Sequence, residues 1–153
     1  MKLSTKGRYG LRALIDLAVH EKEDTVSIQS ISERQGISES YLEQLVRLLK
    51  KAGLVVSVRG AGGGYRLAKP ADTISVGDIL RALEGDLKAV ACSAYQEGQG
   101  CEGADCCVTK FVWKKINDAI THTVDSIMLG ELVGESRRLL EKNGGEPVQR
   151  CKN

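Results

Sequence analysis

Leu11, Leu14, Ile15, Ala18 and Val19 recur three and four residues apart between Lys6 and Glu21, the spacing of one face of an α-helix. Ser27 then predicts the cap of a short helix over Ile28 to Arg34, which Gly36 ends in a left-handed turn. Beyond Ile37, Ser40 and Glu43 read as an S-x-x-E capping box opening a third helix. Its Leu42, Leu45, Val46 and Leu49 share a face, and it closes near Gly53. Two helices joined by a tight glycine turn, the second of them amphipathic, predict a helix-turn-helix.

The period changes at Leu54. Leu54, Val56 and Val58 fall on one side and Val55, Ser57 and Arg59 on the other, as in a strand. Gly60-Ala61-Gly62-Gly63-Gly64 interrupts it, Tyr65 to Leu67 reads as the returning strand, and Pro70 ends the unit. A fourth helix is expected from Ser75 to about Glu84, with Ile74 and Ile79 as a hydrophobic staple. Gly85 to Asp105 is loop-like. From Val108 a long helix carries Phe111, Val112, Ile116, Ala119, Ile120, Thr123, Val124 and Ile127 in a seam that needs a partner to cover it. Gly130 is expected to break that helix, and Glu131 to Glu141 to add a short one.

The fold class expected is therefore mainly α with a small β-hairpin wing: a winged helix-turn-helix plus a long dimerisation helix. Its parts are a DNA-binding domain over 1–70, a connecting helix and cysteine-rich loop over 71–109, helices for dimerisation over 110–142, and a flexible tail over 143–153. Charge follows the same divisions. Residues 1–70 hold 12 Lys and Arg against 7 Asp and Glu, and residues 71–109 hold 2 against 7. A basic head followed by an acidic middle suits a polyanion-binding unit attached to something else. The polar, basic start is unlike a secretory signal and nothing is apolar enough for a membrane span, so the expectation is a cytoplasmic protein with no membrane partner.

Reading a major groove requires hydrogen-bonding side chains on the outward face of a helix, near its start. Ser38, Ser40, Tyr41, Gln44 and Arg47 meet that requirement. Gln44 can bond adenine, and Arg47 can serve guanine or phosphate. Glu43, an anion where phosphate lies near, must accept from cytosine or impose selectivity. In the wing, Gly60, Gly62 and Gly63 let the backbone lie close to sugar and phosphate, and Arg59 can enter a minor groove. No Lys-Ser/Thr follows these glycines, which excludes a nucleotide-binding loop. Lys2, Lys6, Arg8 and Arg12 are placed for phosphate contacts from the first helix.

Four of the five cysteines, Cys92, Cys101, Cys106 and Cys107, lie in the acidic loop, and Cys151 lies in the tail. Paired C-x-x-C spacing is absent. Thiolates gathered before a helix N-terminus suit an iron–sulfur cluster or zinc, and spacing does not choose between them; a thiol switch also remains open.

Ser32-Glu33-Arg34-Gln35-Gly36-Ile37-Ser38, Ser40-Tyr41-Leu42-Glu43-Gln44-Leu45 and Val58-Arg59-Gly60-Ala61-Gly62-Gly63-Gly64-Tyr65 resemble the IscR-like family of winged-helix bacterial transcription repressors. Lys6-Gly7-Arg8-Tyr9 and Leu129-Gly130-Glu131-Leu132-Val133 extend the likeness over about residues 1–135. The resemblance implies a homodimer on a double-stranded DNA operator and a [2Fe–2S] cluster held by Cys92, Cys101 and Cys107, in preference to [4Fe–4S] or zinc. It also implies repression of cluster-assembly genes and a cluster-assembly scaffold as the cluster's donor. The family's histidine ligand, three residues after the third cysteine, is replaced here by Lys110, whose ammonium has no lone pair. Cys106 is the nearest substitute, with Glu97, Glu102 and Asp105 as local oxygen donors. His122 lies twelve residues from Lys110, about 18 Å along a helix, which is too far.

Two other readings stand beside this one. The same head could carry a zinc, thiol-redox or protein-partner sensor, in the manner of cysteine-metabolism regulators. Alternatively, an iron–sulfur carrier or redox enzyme could use the basic half for a partner or RNA. The reading helix, the wing and the lack of a catalytic His, Ser or Asp grouping argue against an enzyme.

Overall fold

The computed structural model describes residues 3–21, 24–92 and 100–145. The expected mainly helical architecture is present: α1 (Thr5–His20), α2 (Ile28–Gln35), α3 (Glu39–Lys51), β1 (Val55–Val58), β2 (Gly64–Leu67), a 3-10 turn (Ala71–Thr73), α4 (Val76–Glu84), α5 (Thr109–Ser126) and α6 (Leu129–Lys142). The strands pair antiparallel, from Val55 opposite Leu67 to Val58 opposite Gly64. Leu14, Leu17, Ile31, Leu42, Leu45 and Leu49 form the centre of one core, which Ile74, Ile79 and Leu129 extend. No helix among the described residues is long and apolar enough to cross a membrane.

Polar chemistry inside this core sets the angle between α1 and α2. Asp16, 4% exposed, accepts from Arg34 Nε at 3.0 Å and Nη2 at 2.6 Å, and from Gln35 Nε2 at 2.8 Å. Arg12 Nη2 donates to the Gln35 main-chain oxygen at 3.1 Å and its Oε1 at 3.2 Å. The guanidinium also lies over the Tyr9 ring. Arg12 is therefore engaged in closing the end of α2 rather than held out for phosphate. Gly36 follows at φ 63°, a left-handed conformation suited to glycine, and turns the chain into α3.

The start of α3 corrects the capping box expected at Ser40 and Glu43. The cap is Ser38, whose side chain accepts from the Tyr41 amide at 3.4 Å. With the cap there, Ile37 and Leu42, 6% and 0% exposed, form the hydrophobic staple. A cap at Ser40 would put polar Glu39 and Gln44 in those places. The strand face is corrected as well. Leu54 and Val55 are both buried while Val58 is 36% exposed. Leu54 still belongs to the exit from α3, its amide donating to Leu49 O at 3.0 Å, and the strand then runs from buried Val55 to exposed Val58 without the expected alternation.

At α4 the Ile74–Ile79 staple forms, both residues 0% exposed, and Ser75 and Asp78 add a reciprocal capping box. Contrary to the expected break at Gly130, the long helix ends at Ile127 and Met128, which are extended. The Val76 amide donates to Ile127 O and the Leu129 amide to Ile74 O, each at 2.8 Å, so a tertiary bridge ends the helix. Gly130 lies inside α6, where a Cβ would stand 1.8 Å from an Asp72 carboxylate oxygen. The last helix begins two residues before Glu131 and is 14 residues long. It packs back on α1 and the 3-10 turn, with Leu129 and Val133 buried in the common core.

The Asp16–Arg34 pair is asymmetric: the carboxylate side chain is 2% exposed and the guanidinium 27%. Removing the arginine strands a dry anion, whereas removing the aspartate leaves a cation that water reaches. Urea titration is expected to show a loss of about 2–4 kcal/mol for Arg34→Ala and roughly half that for Asp16→Ala. Equal or reversed losses would remove this account of the clamp.

Candidate nucleic-acid interface and cysteine loop

Helix α3 buries Leu42, Leu45, Val46 and Leu49 and leaves Ser40, Glu43, Gln44 and Arg47 exposed. These four positions place two amides or hydroxyls, a cation and an anion on one open surface. Ser38 is exposed at its start but is occupied as the cap. Tyr41, expected on the outward face, is half-buried. Its hydroxyl donates to Thr5 Oγ1 at 3.3 Å and its ring meets Tyr9 edge-on at 6.2 Å. At the other end Lys50 Nζ donates to Ser57 Oγ at 2.7 Å and ties the reading helix to the wing.

The wing is better anchored than a plain hairpin. Val26 and Tyr65 exchange two main-chain bonds at 2.8 Å, and Thr25 Oγ1 donates to Gly62 O at 2.7 Å. This additional bridge carried only a short Thr-Val signal and was missed in the sequence. Gly60, at φ 113°, adopts the left-handed turn, which the Gly63 amide closes on Gly60 O at 2.9 Å. Arg59, Gly60 and Gly62 are exposed at the tip and Gly63 is half-buried. Lys6 and Arg8 are exposed near the start of α1; Lys2 lies outside the described residues.

Glu84 closes that start of α1. It accepts from the Ser4 hydroxyl at 2.7 Å, the Ser4 amide at 2.9 Å and the Gly7 amide at 3.0 Å. Burial alone would raise its pKa, but these donors and the Lys6 charge hold it below the usual carboxylate value. A Cβ on Gly10 would stand 2.3 Å from Leu83 Cδ1, so bare helix backbone is what lets α4 lie so close to α1. Because Glu84 is followed by Gly85, the start of α1 and the cysteine loop share one attachment.

The loop places Cys92 half-buried, Cys101 and Cys106 exposed, and Cys107 half-buried just before α5. Two turns order its second part: the Ala104 amide donates to Cys101 O at 3.0 Å and the Cys106 amide to Gly103 O at 3.2 Å. The Cys107 thiol is pulled below its ordinary value, first by the Thr109 hydroxyl 3.2 Å from Sγ and next by the Lys110 amide. Lys110 donates from Nζ to Ala104 O at 2.5 Å and lies against the Phe111 ring. Among the described residues, no three His, Cys, Asp or Glu side chains converge as a metal site. Glu102 and Asp105 are exposed, while Glu97 and Cys151 lie outside the described residues. The donor set is soft sulfur beside a helix start, which fits an iron–sulfur cluster or zinc chemically.

On the far side of α5, Val108, Phe111, Val112 and Ile116 are 76%, 65%, 50% and 38% exposed. The expected seam thus divides. Ile120, Val124 and Ile127 are half-buried, as is Trp113 beside the seam, and this apolar strip is left in the open.

The family model for Rrf2, an iron-dependent transcriptional regulator, matches residues 3–135. The HTH-type transcriptional regulator IscR of Pectobacterium carotovorum is 47% identical over 139 residues, covering 91% of this chain and 83% of that protein. Among solved structures, IscR of T. potens superposes with TM-score 0.67 at 45% identity over 100% of this chain and 94% of that one. CymR, the global cysteine regulator of B. subtilis, superposes with TM-score 0.72 at 43% identity over 88% of this chain and 98% of that one.

The Thr109 hydroxyl is the leading cause of the lowered Cys107 pKa. Thr109→Val is therefore expected to move the pH profile of Cys107 alkylation upward and to slow iodoacetamide labelling at neutral pH, read by mass spectrometry. An unchanged profile would show that the helix start alone tunes this thiol.

Proposed function

The chain belongs to the Rrf2 family of iron-dependent transcriptional regulators, and on that premise we propose that it is a homodimeric repressor whose operator binding reports iron–sulfur cluster status. The observation that carries the DNA-reading part is the division of α3 into a buried apolar face and an exposed face bearing Gln44 and Arg47. That helix enters the major groove, Gln44 and Arg47 read base edges, and Glu43 discriminates against sequences that offer it no donor. Arg59 and the glycine tip follow the minor groove, while Lys2, Lys6 and Arg8 neutralise phosphate.

Cys92, Cys101 and Cys107 are the residues that would hold a [2Fe–2S] cluster, with Cys106 beside them. When bound, such a cluster joins the thiolates at one point and supplies one-electron chemistry. The low Cys107 pKa favours the deprotonated ligand. Lys110, already donating to Ala104 O, folds the second half of the loop onto α5 rather than acting as a ligand. The similarity to CymR supports the shared head, and the cysteine-rich loop favours cluster sensing over cluster-free regulation.

Operators selected from random duplex DNA with anaerobically purified protein provide the test. On the recovered site, Gln44→Ala and Arg47→Ala are expected to cost about 1–3 kcal/mol each and to relax preference at single base pairs. Lys6→Ala should weaken binding to all sequences and reduce the salt slope by about 0.9. Iron and sulfide in the same preparation, lost in a Cys92/Cys101/Cys107 triple alanine variant, support the cluster. Zinc alone would transfer sensing to another chemistry and leave the head in place.

A second copy of the chain is the partner that covers the open face of α5. Sedimentation equilibrium should give a dimer for the wild type. Phe111→Glu with Ile116→Glu should give a folded monomer, and a wild-type monomer would end the homodimer proposal.

A further inference from the structure

Among the described residues of α5 only Asn117 is buried, at 7% exposure. Its Oδ1 accepts from the Ala89 amide at 2.9 Å and its Nδ2 donates to Val90 O at 3.1 Å. One side-chain amide therefore holds main-chain groups of two successive residues, the second of them two residues before Cys92. An apolar side chain here would remove both of these bonds at once.

The pin also fixes how much free chain Cys92 has. Val90 to Cys92 spans at most about 7 Å of extended chain. Without the Asn117 bonds, the chain from Gly85, where α4 ends, to Cys92 spans about 24 Å when extended. With the long tether Cys92 can join a ligand group without disturbing any helix. With the short one, any displacement of Cys92 pulls on α5. At 100° per residue, Asn117 and Lys110 lie on one face of α5, Val108, Phe111 and Val112 within about 60° of the opposite direction, and Ile116 on the flank between them. Force from the loop thus reaches a helix whose other side is the open apolar strip.

We propose that Asn117 is a positioning residue that couples ligation of Cys92 to the setting of α5, and through it to the spacing of the two reading heads. The proposal rests on the cluster-sensing reading above. Asn117 is assigned neither to DNA nor to the cluster; its role is to keep the tether short. A switch of this kind requires different DNA affinities with and without the cluster, linked through an element that both sites bias.

The test measures operator affinity of the full-length chain by fluorescence anisotropy, once without the cluster and once after anaerobic reconstitution with iron and sulfide. The wild-type ratio between the two states is expected to be about 5–150, and Asn117→Leu should bring it to about 1–2 while cluster-free affinity changes less than about two-fold. Asn117→Ala serves as a second variant if the leucine chain does not fold. It removes the bonds to both Ala89 and Val90 without adding bulk. In both variants hydrogen exchange at Ala89 should accelerate, and visible circular dichroism should still show a bound cluster. A variant that exchanges faster at Ala89, binds the cluster and keeps the wild-type ratio overturns the role of Asn117 alone. A wild-type chain with equal affinity in both states overturns it together with cluster sensing.

Discussion

The Asp16 carboxylate lies almost wholly out of water between α1 and α2, with Arg34 bonded to it through two nitrogens and Gln35 through a third. A carboxylate so placed is costly unless its partners hold their geometry, so any tilt of α2 that loosens these bonds is opposed. That constraint bears directly on DNA reading. Gln35 is the last residue of α2, Gly36 turns immediately after it, and Ser38 caps α3 two residues later. The direction in which α3 leaves is thus set at the clamp. Arg12, holding Gln35 from α1, removes the remaining freedom at the same joint. Apolar packing beneath α3 stabilises the domain but is tolerant of small rotations, whereas the clamp specifies orientation.

Helix α4 has a comparable role on the sensing side. Its first turn is fixed by the Ser75–Asp78 box and by the bridge to Ile127 and Leu129. Its last residue, Glu84, holds the beginning of α1, and Arg81 pairs with Asp125 of α5. One short helix therefore touches the start of α1, the C-terminal end of α5 and the first residue of the loop. The glycines at 7 and 10 matter because they bring α4 within contact of the α1 backbone, leaving little slack between the two.

Much of this was legible because local patterns and tertiary structure agree. Gly36, the Ile74–Ile79 staple and the glycine-rich wing each state their conformation within a few residues. The misplaced cap shows where local pattern is insufficient: Ser38 and Ser40 both offer a hydroxyl, and only the burial of Ile37 against Leu42 decides between them. Gly130 misled for the opposite reason. Glycine commonly ends helices, but here the helix is ended by a hydrogen bond from the Val76 amide and one to Ile74 O, residues far away in the chain, and the glycine accommodates Asp72. Tyr41 and Arg12 carried side chains suited to DNA but are used to join helices. The cysteines were visible as chemistry and not as geometry, since an irregular loop has no period from which positions can be read.

The exchange of histidine for lysine at position 110 acquires a physical meaning from the loop's attachments. Lys110 holds Ala104 and Asn117 holds Ala89 and Val90, from positions seven residues apart, about 10.5 Å, along one face of α5. The loop is thereby fastened to the same helix at both ends, with Cys92 and Cys101 between the fastenings and Cys107 at the helix start. A lysine has the reach and the donors to make such a fastening without occupying a metal. What the position gives up as a ligand it supplies as a tie, so in the proposed cluster site a pull on the three thiols would be resisted by α5 as a whole rather than by the loop. The opposite face of that helix remains apolar and open, which places the stiffest route out of the loop against the surface proposed to meet the second subunit.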